Sequence, residues 1–119
     1  MIKKKTVFVP VDKCGVLKVR VFHLYRGFCR KTGFTGDFFK SSVRLIKPDS
    51  FVKKKAKIHG FIVRTVKEIY RHDGASISFN VNAGILLKKR MTPKGSELFG
   101  PITKKVQKRK FINSFAGLI

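Results

Sequence analysis

Gly60-Phe-Ile-Val-Arg-Thr-Val-Lys67, Ile69-Tyr-Arg-His-Asp-Gly-Ala-Ser-Ile-Ser-Phe79 and Asn82-Ala-Gly-Ile-Leu-Leu87 follow one another almost without interruption. Asp73-Gly74 between two alternating runs is a strong hairpin signal, because that dipeptide accepts the positive φ of a tight turn. Gly60 opens a strand over Phe61 to Lys67. Ile69 to His72 runs into the turn, and Ser76 to Phe79 returns. Asn82 to Gly84 leads into Ile85-Leu86-Leu87, which reads as a buried strand flanked by Lys88, Lys89 and Arg90.

Upstream, the same period of two recurs. Thr6 to Val11 reads as a first strand with Val7, Val9 and Val11 on one face. Asp12 to Gly15 turns the chain, and Val16 to Tyr25 is a long second strand. Leu17, Val19 and Val21 face inward there, while Lys18 and Arg20 face out. Gly27 breaks the strand, and Thr32 to Asp37 is a glycine-containing turn. Phe38 to Ile46 resumes the alternation, with Phe39, Val43 and Leu45 set against Lys40 and Arg44. Lys47 to Ser50 contains Pro48 and reads as a loop.

The pattern changes after the Pro93 to Pro101 loop. Ile102 and Val106 are four apart, so Thr103 to Arg109 predicts a short basic amphipathic helix with Pro101 in its first turn. Phe111, Ile112, Phe115 and Leu118 suggest a second helical turn ending near Gly117. Five or six short strands joined by glycine-rich turns predict a mainly-β single domain over residues 1–119, a small closed barrel. Greek-key, oligonucleotide-binding-like and SH3-like connectivities all remain open.

Charge points to the partner. The chain carries 28 Lys and Arg against 6 Asp and Glu, a formal net charge of +22 in 119 residues. Such self-repulsion destabilises a compact state, whereas a phosphate backbone neutralises it and releases counterions. Apolar residues at 43%, including 12 Phe, exclude a disordered basic tail. The expectation is a folded domain with a basic exterior and a nucleic-acid partner.

No apolar run approaches the roughly 20 residues that span a bilayer, so membrane insertion is not expected. The basic start has too short an apolar stretch for a signal peptide. The protein is expected to stay where it is made, unless a targeting segment lies outside this chain. Cys14 and Cys29 form no paired metal half-site and read as buried free thiols.

Enzyme signals are thin, and no cofactor is expected. Asp12, Asp37, Asp49, Glu68, Asp73 and Glu97 form no paired acidic motif. Asp37 and Asp73 adjoin glycines, where carboxylates commonly bond their own backbone. His23, His59 and His72 lack metal-ligand spacing, and no glycine-rich nucleotide loop is present.

The candidate RNA-binding residues fall into groups: Lys3, Lys4 and Lys5; Arg26, Arg30 and Lys31; Lys53, Lys54, Lys55 and Lys57; Arg64, Lys67 and Arg71; Lys88, Lys89 and Arg90; and Lys104, Lys105, Lys108 and Arg109. Their spread over several faces suits a protein wedged into folded RNA. Lysine supplies mobile point charge, and arginine adds a planar fork that grips phosphate or stacks on a base. Phe28 and Phe34 lie in basic, turn-rich sequence and read as packing residues before base-stacking ones. Asn80 and Asn82 read as satisfying backbone turns.

The central and late segments resemble the universal large-subunit ribosomal protein family fourteen (uL14). Gly60 to Lys67, His72 to Phe79, Asn82 to Leu87 and Gly95-Ser-Glu-Leu-Phe-Gly-Pro-Ile102 carry the resemblance in order, and Phe111 to Leu118 resembles the family's apolar tail. Asp12-Lys-Cys-Gly-Val matches the start more loosely, with Lys13 and Cys14 where Asn-Ser is usual. Glu97 stands where a basic residue is common, so no RNA contact carries over to it. Val66 interrupts the basic run after Arg64.

The resemblance implies a five-stranded β-barrel with short C-terminal helices. It also implies a non-catalytic role in the large ribosomal subunit, close to the factor-binding region. The implied partners are large-subunit rRNA, a neighbouring large-subunit protein and small-subunit rRNA across an intersubunit bridge; an obligate homo-oligomer is not implied. Arg64 and the basic residues around Arg71 match the family signature. The Phe- and Lys-rich composition looks like an organellar, mitochondrial member, with another organelle or the cytoplasm as alternatives. The competing reading is a free nucleic-acid-binding barrel such as a chaperone, whose stacking groove Phe28, Phe34, Phe38 and Phe39 would build. An enzyme with a compact, metal-binding cluster of carboxylates is the third.

Overall fold

The computed structural model describes residues 2–11, 15–25, 32–48, 52–88, 100–102 and 117–118. The strands are β1 (Ile2–Lys3), β2 (Val7–Phe8), β3 (Val16–Leu24), β4 (Thr32–Gly33), β5 (Phe38–Ile46), β6 (Lys57–Arg64), β7 (Ile69–Tyr70), β8 (Ser76–Ile77), β9 (Ala83–Leu87), β10 (Pro101–Ile102) and β11 (Gly117–Leu118). A five-stranded antiparallel sheet in the order β2-β3-β5-β6-β9 dominates. Three two-stranded ribbons accompany it: β1 with β4, β7 with β8, and β10 parallel to β11.

Cross-strand partners share a face, so the register divides the large sheet cleanly. On the inner face, Phe8–Val19–Val43, Val21–Ser41–Ile58 and Leu24–Phe39–Gly60–Leu86 run across neighbouring strands. All of these residues are buried. The Phe39 ring lies over Gly60 and Gly84, where a Cβ at Gly84 would meet Phe39 Cε1 at 3.0 Å. Phe8 meets the Phe39 ring edge-on at a centroid distance of 5.3 Å. Only residues without a side chain leave room for this ring between two paired strands.

A second cluster covers part of the outer face. Phe61, Val63, Ala83, Ile85 and Leu87 pack there with Val11 and Ile102, and Phe38 joins from β5. All five residues of β9 are therefore buried. Two-sided burial explains the unbroken apolar runs of β6 and β9, which are unlike the alternation of a strand with one wet face.

The closed barrel expected from strand count and from the family resemblance does not form. The two ends of the sheet order, β2 and β9, share no ladder. Among the described residues a single backbone bond links this seam, Val11 N–H donating to the Gly84 carbonyl at 3.1 Å. Pro10 lies beside it and has no N–H to give, so β2 stops at Phe8. The architecture is a mainly-β fold of antiparallel sheets, open at that seam.

The short C-terminal helices are also corrected, and the described residues contain no helix. Pro101–Ile102 is a strand rather than a first helical turn, and Gly117–Leu118 pairs with it in parallel. The predicted helix over Thr103 to Arg109 and the apolar positions Phe111, Ile112 and Phe115 lie outside the described residues, as do Cys14 and Cys29.

Face assignments in β2, β3 and β5 shift as well. In β2, Phe8 is buried while Val7 and Val9 are 51% and 56% exposed. Val7 opposes Arg20 on the outer face, and Val11 reaches the second cluster beyond Pro10. In β3, register irregularities between Val16 and Val19 and between Val21 and His23 reset the alternation. Leu17 is consequently half-buried, Phe22 exposed, and Leu45 on β5 exposed.

The hairpin is present. Ile69 pairs with Ile77 and Tyr70 with Ser76. Gly74 has φ +86°, and the Ala75 N–H donates to Asp73 Oδ1 at 3.1 Å. The ribbon stands apart from the large sheet, and Tyr70 is largely exposed.

Candidate nucleic-acid interface

The outer face changes character along its strands. One cross-strand row runs Val7–Arg20–Ser42–Lys57, and the next runs His23–Lys40–His59–Leu87. A third, Phe38–Phe61–Ile85, belongs to the second apolar cluster. Charge thus occupies the end of the face that the cluster leaves uncovered. Arg44, exposed, extends it along the β5 alternation of Lys40 and Ser42, and Lys18 is exposed where β3 pairs irregularly with Leu45.

Adjacent strands lie about 4.8 Å apart, so Arg20 and Lys57 are separated by roughly 10 Å across β5. Two unit charges at that distance repel by about 0.4 kcal/mol in water, and by several times more where the dielectric is lower. Each pair is tolerable alone; the sum over this face favours an anionic partner. Two of the described carboxylates do other work. Asp37 Oδ2 accepts the Phe34 N–H at 2.7 Å, and Asp73 holds the hairpin turn, as expected for turn-capping residues.

Two lysine-rich turns flank the sheet. Lys3, Lys4 and Lys5 are exposed, and the Lys5 N–H donates to the Val21 carbonyl at 2.7 Å. Lys53, Lys54 and Lys55 are exposed on the turn entering β6, where the Lys55 N–H donates to the Val43 carbonyl at 2.9 Å. Lys5 and Lys55 hold φ of 72° and 67°, a left-handed conformation that costs a side-chain-bearing residue about 1–2 kcal/mol.

Arg64 does not join these rows. It is half-buried in a groove of about 590 Å³ along the seam, with Val7 to Val11 on one side and Val66, Val81, Asn82 and Ala83 on the other. Burial lowers its guanidinium pKa from the ordinary value. Arginine's proton affinity still keeps it charged at neutral pH. Its guanidinium occupies the space above the Gly100 Cα that a Cβ would need, and Gly100 has φ +76°. Asn82 Oδ1 accepts the Val66 N–H at 3.0 Å, the backbone-satisfying role its sequence context suggests.

The remaining candidates scatter. Lys67 is exposed beyond β6, Arg71 is partly covered at the hairpin, and Lys88 is exposed after β9. Arg26, Arg30, Lys31, Lys89, Arg90, Lys104, Lys105, Lys108 and Arg109 lie outside the described residues. Lys18, Arg20, Lys40 and Arg44 were absent from the candidate groups, although the alternation in their strands already turned them outward. Grouping by proximity along the chain conceals a row assembled across three strands.

Phe39 is fully buried, and Phe38 packs edge-to-face on Phe61 at 5.3 Å. The phenylalanine stacking groove of the competing reading thereby loses two of its four rings; Phe28 lies outside the described residues. Among the described residues no group of three or more His, Cys, Asp or Glu could hold a metal ion. No helix among them is long and apolar enough to cross a membrane.

Comparison with known proteins gives the family. The family model of ribosomal protein L14p/L23e matches residues 1–117. The large ribosomal subunit protein uL14m of Tetrahymena pyriformis is 44% identical over 119 residues, the whole of both chains. A match over nearly the full length, on a fold whose uncovered outer face is basic, means that the chain belongs to the uL14 family of ribosomal proteins.

Proposed function

We propose that the basic outer face of β3, β5 and β6 is the surface on which this chain holds large-subunit rRNA. Family membership makes the protein a structural, rRNA-binding constituent of the large ribosomal subunit rather than an enzyme. The carrying observation is the cross-strand row Arg20–Ser42–Lys57 beside His23–Lys40–His59, with Arg44 adjoining on β5. Rigid strands fix the spacing of these donors, so they suit a folded polyphosphate. The turns at Lys3–Lys5 and Lys53–Lys55 extend the contact on either side. The compartment is the mitochondrion, a reading supported by the full-length relative in Tetrahymena pyriformis.

Finer partnerships follow the family resemblance, whose late region near subunit contacts is matched by Phe99-Gly100-Pro101 and the basic sequence after it. They are a neighbouring large-subunit protein and small-subunit rRNA across a bridge, near the factor-binding region. The test is crosslinking in native large subunits with contacts mapped to residues. Crosslinks from Arg20, Lys40, Arg44 and Lys57 to large-subunit rRNA are expected. A face that crosslinks to protein alone, or remains solvent-accessible in the subunit, would overturn the assignment.

A further inference from the structure

At the border between the charged rows and the second apolar cluster, three rings meet. His23 and Tyr25 contact each other edge-to-face at a centroid distance of 4.5 Å and 79°. Tyr25 and His59 lie near-parallel at 5.8 Å and 25°. His23 and His59 are 36 positions apart in the chain, and Lys40 stands between them in the same cross-strand row. Tyr25 remains 45% exposed. Its backbone N–H donates to the Phe38 carbonyl at 3.2 Å, which anchors the residue to the end of β5.

This arrangement differs from the rest of the face. Elsewhere on it the described donors are flexible lysine and arginine side chains, which meet phosphate without regard to base pairing. Here an aromatic surface shares a cross-strand row with a lysine. A duplex keeps its bases inside and cannot use a ring; an unpaired nucleotide can stack its base while its phosphate stays with a cation.

We infer that the Tyr25–His59 ring pair, with Lys40 beside it, is a binding site for one unpaired nucleotide of RNA, the base stacking on the rings and its phosphate meeting Lys40. The inference rests on reading the outer face as the rRNA surface and adds a preference for a bulged or looped nucleotide at this end.

The chain supplies its own reporter, because it contains two tyrosines and no tryptophan. A Tyr70→Phe variant of the full chain leaves Tyr25 as the one tyrosine. Its fluorescence is followed while it is titrated with an RNA hairpin carrying a single-nucleotide bulge, or with the same hairpin fully paired. Stacking quenches the emission, so quenching is expected with the bulged RNA and little with the paired one. Tyr25→Ala should weaken the bulged complex roughly tenfold and leave the paired one within about twofold, whereas Tyr25→Phe should retain bulge preference. Equal affinity and equal quenching by both RNAs would overturn the stacking site while leaving the basic face intact. Failure of both RNAs to bind would overturn both readings. A circular dichroism melt confirms that each variant is folded.

Discussion

The ring of Phe39 occupies the space that a Cβ on Gly60, its partner on the neighbouring strand, would fill. The two residues act as one packing unit: a buried phenylalanine ring of the inner cluster and the absence of a side chain opposite it. Gly60→Ala should therefore cost about 1–3 kcal/mol, as overpacking does. Phe39→Ala should cost about 3–5 kcal/mol through the cavity it leaves. Combining Gly60→Ala with Phe39→Leu should recover part of the loss, because the smaller side chain makes room for the new methyl group. Urea denaturation of the wild type, Gly60→Ala, Phe39→Leu and their double variant measures this coupling; strict additivity would show that the two positions do not share space.

The left-handed lysines separate stability from binding. Lys5→Gly and Lys55→Gly relieve an unfavourable φ, and each should stabilise the isolated chain by up to about 1 kcal/mol. Each also removes a positive charge and should weaken RNA binding. Thermal melts and filter binding on the same variants check both signs together. A glycine variant that melts lower would show that the lysine side chain, not its backbone, decides stability at that turn.

Affinity for structured rRNA should fall steeply as salt rises, with log K declining linearly in log salt. Arg20→Gln and Lys57→Gln should each make that slope shallower by about 1, if each neutralises one phosphate. Lys67→Gln, away from the rows, should change it less. Titrations at several salt concentrations decide the matter, and identical slopes for all three would remove the distinction between the face and the remaining surface.

Arg64 and Gly100 make a different pair. Gly100→Ala adds a methyl group against the guanidinium and forces an alanine to φ +76°. A loss of about 1–3 kcal/mol is expected. Arg64→Lys should not restore the wild type, because an ammonium cannot reproduce a planar group laid over the Gly100 backbone. In subunit assembly, replacing Arg64 should be more damaging than replacing exposed Lys4. Equal assembly defects would indicate that Arg64 contributes charge alone.

Much of this fold is legible along the chain. Asp73-Gly74 announces its hairpin, Ile85-Leu86-Leu87 its buried strand, and Phe39 and Val43 their inward face. Leu17 and Leu45 depart from the linear pattern because the β3–β5 pairing is irregular between Val16 and Val19, which a continuous alternation does not register. Counting strands suggested closure, whereas Pro10 decided against it by withholding one donor at the seam. The functional face was half visible: Lys18, Arg20, Lys40 and Arg44 alternate outward, but their alignment depends on register. The approach of His23 to His59 by way of Tyr25 depends on it entirely, since no local spacing encodes a contact made over two intervening strand connections.

The two-residue length of β2 has a consequence for the chain before it meets RNA. A free β edge invites a second molecule to add a strand, and repeated addition leads to fibrils. Here the exposed margin presents two ladder positions, bracketed by three lysines on one side and an imino acid on the other. Newly made copies are thereby discouraged from polymerising while they await their place in a ribosome.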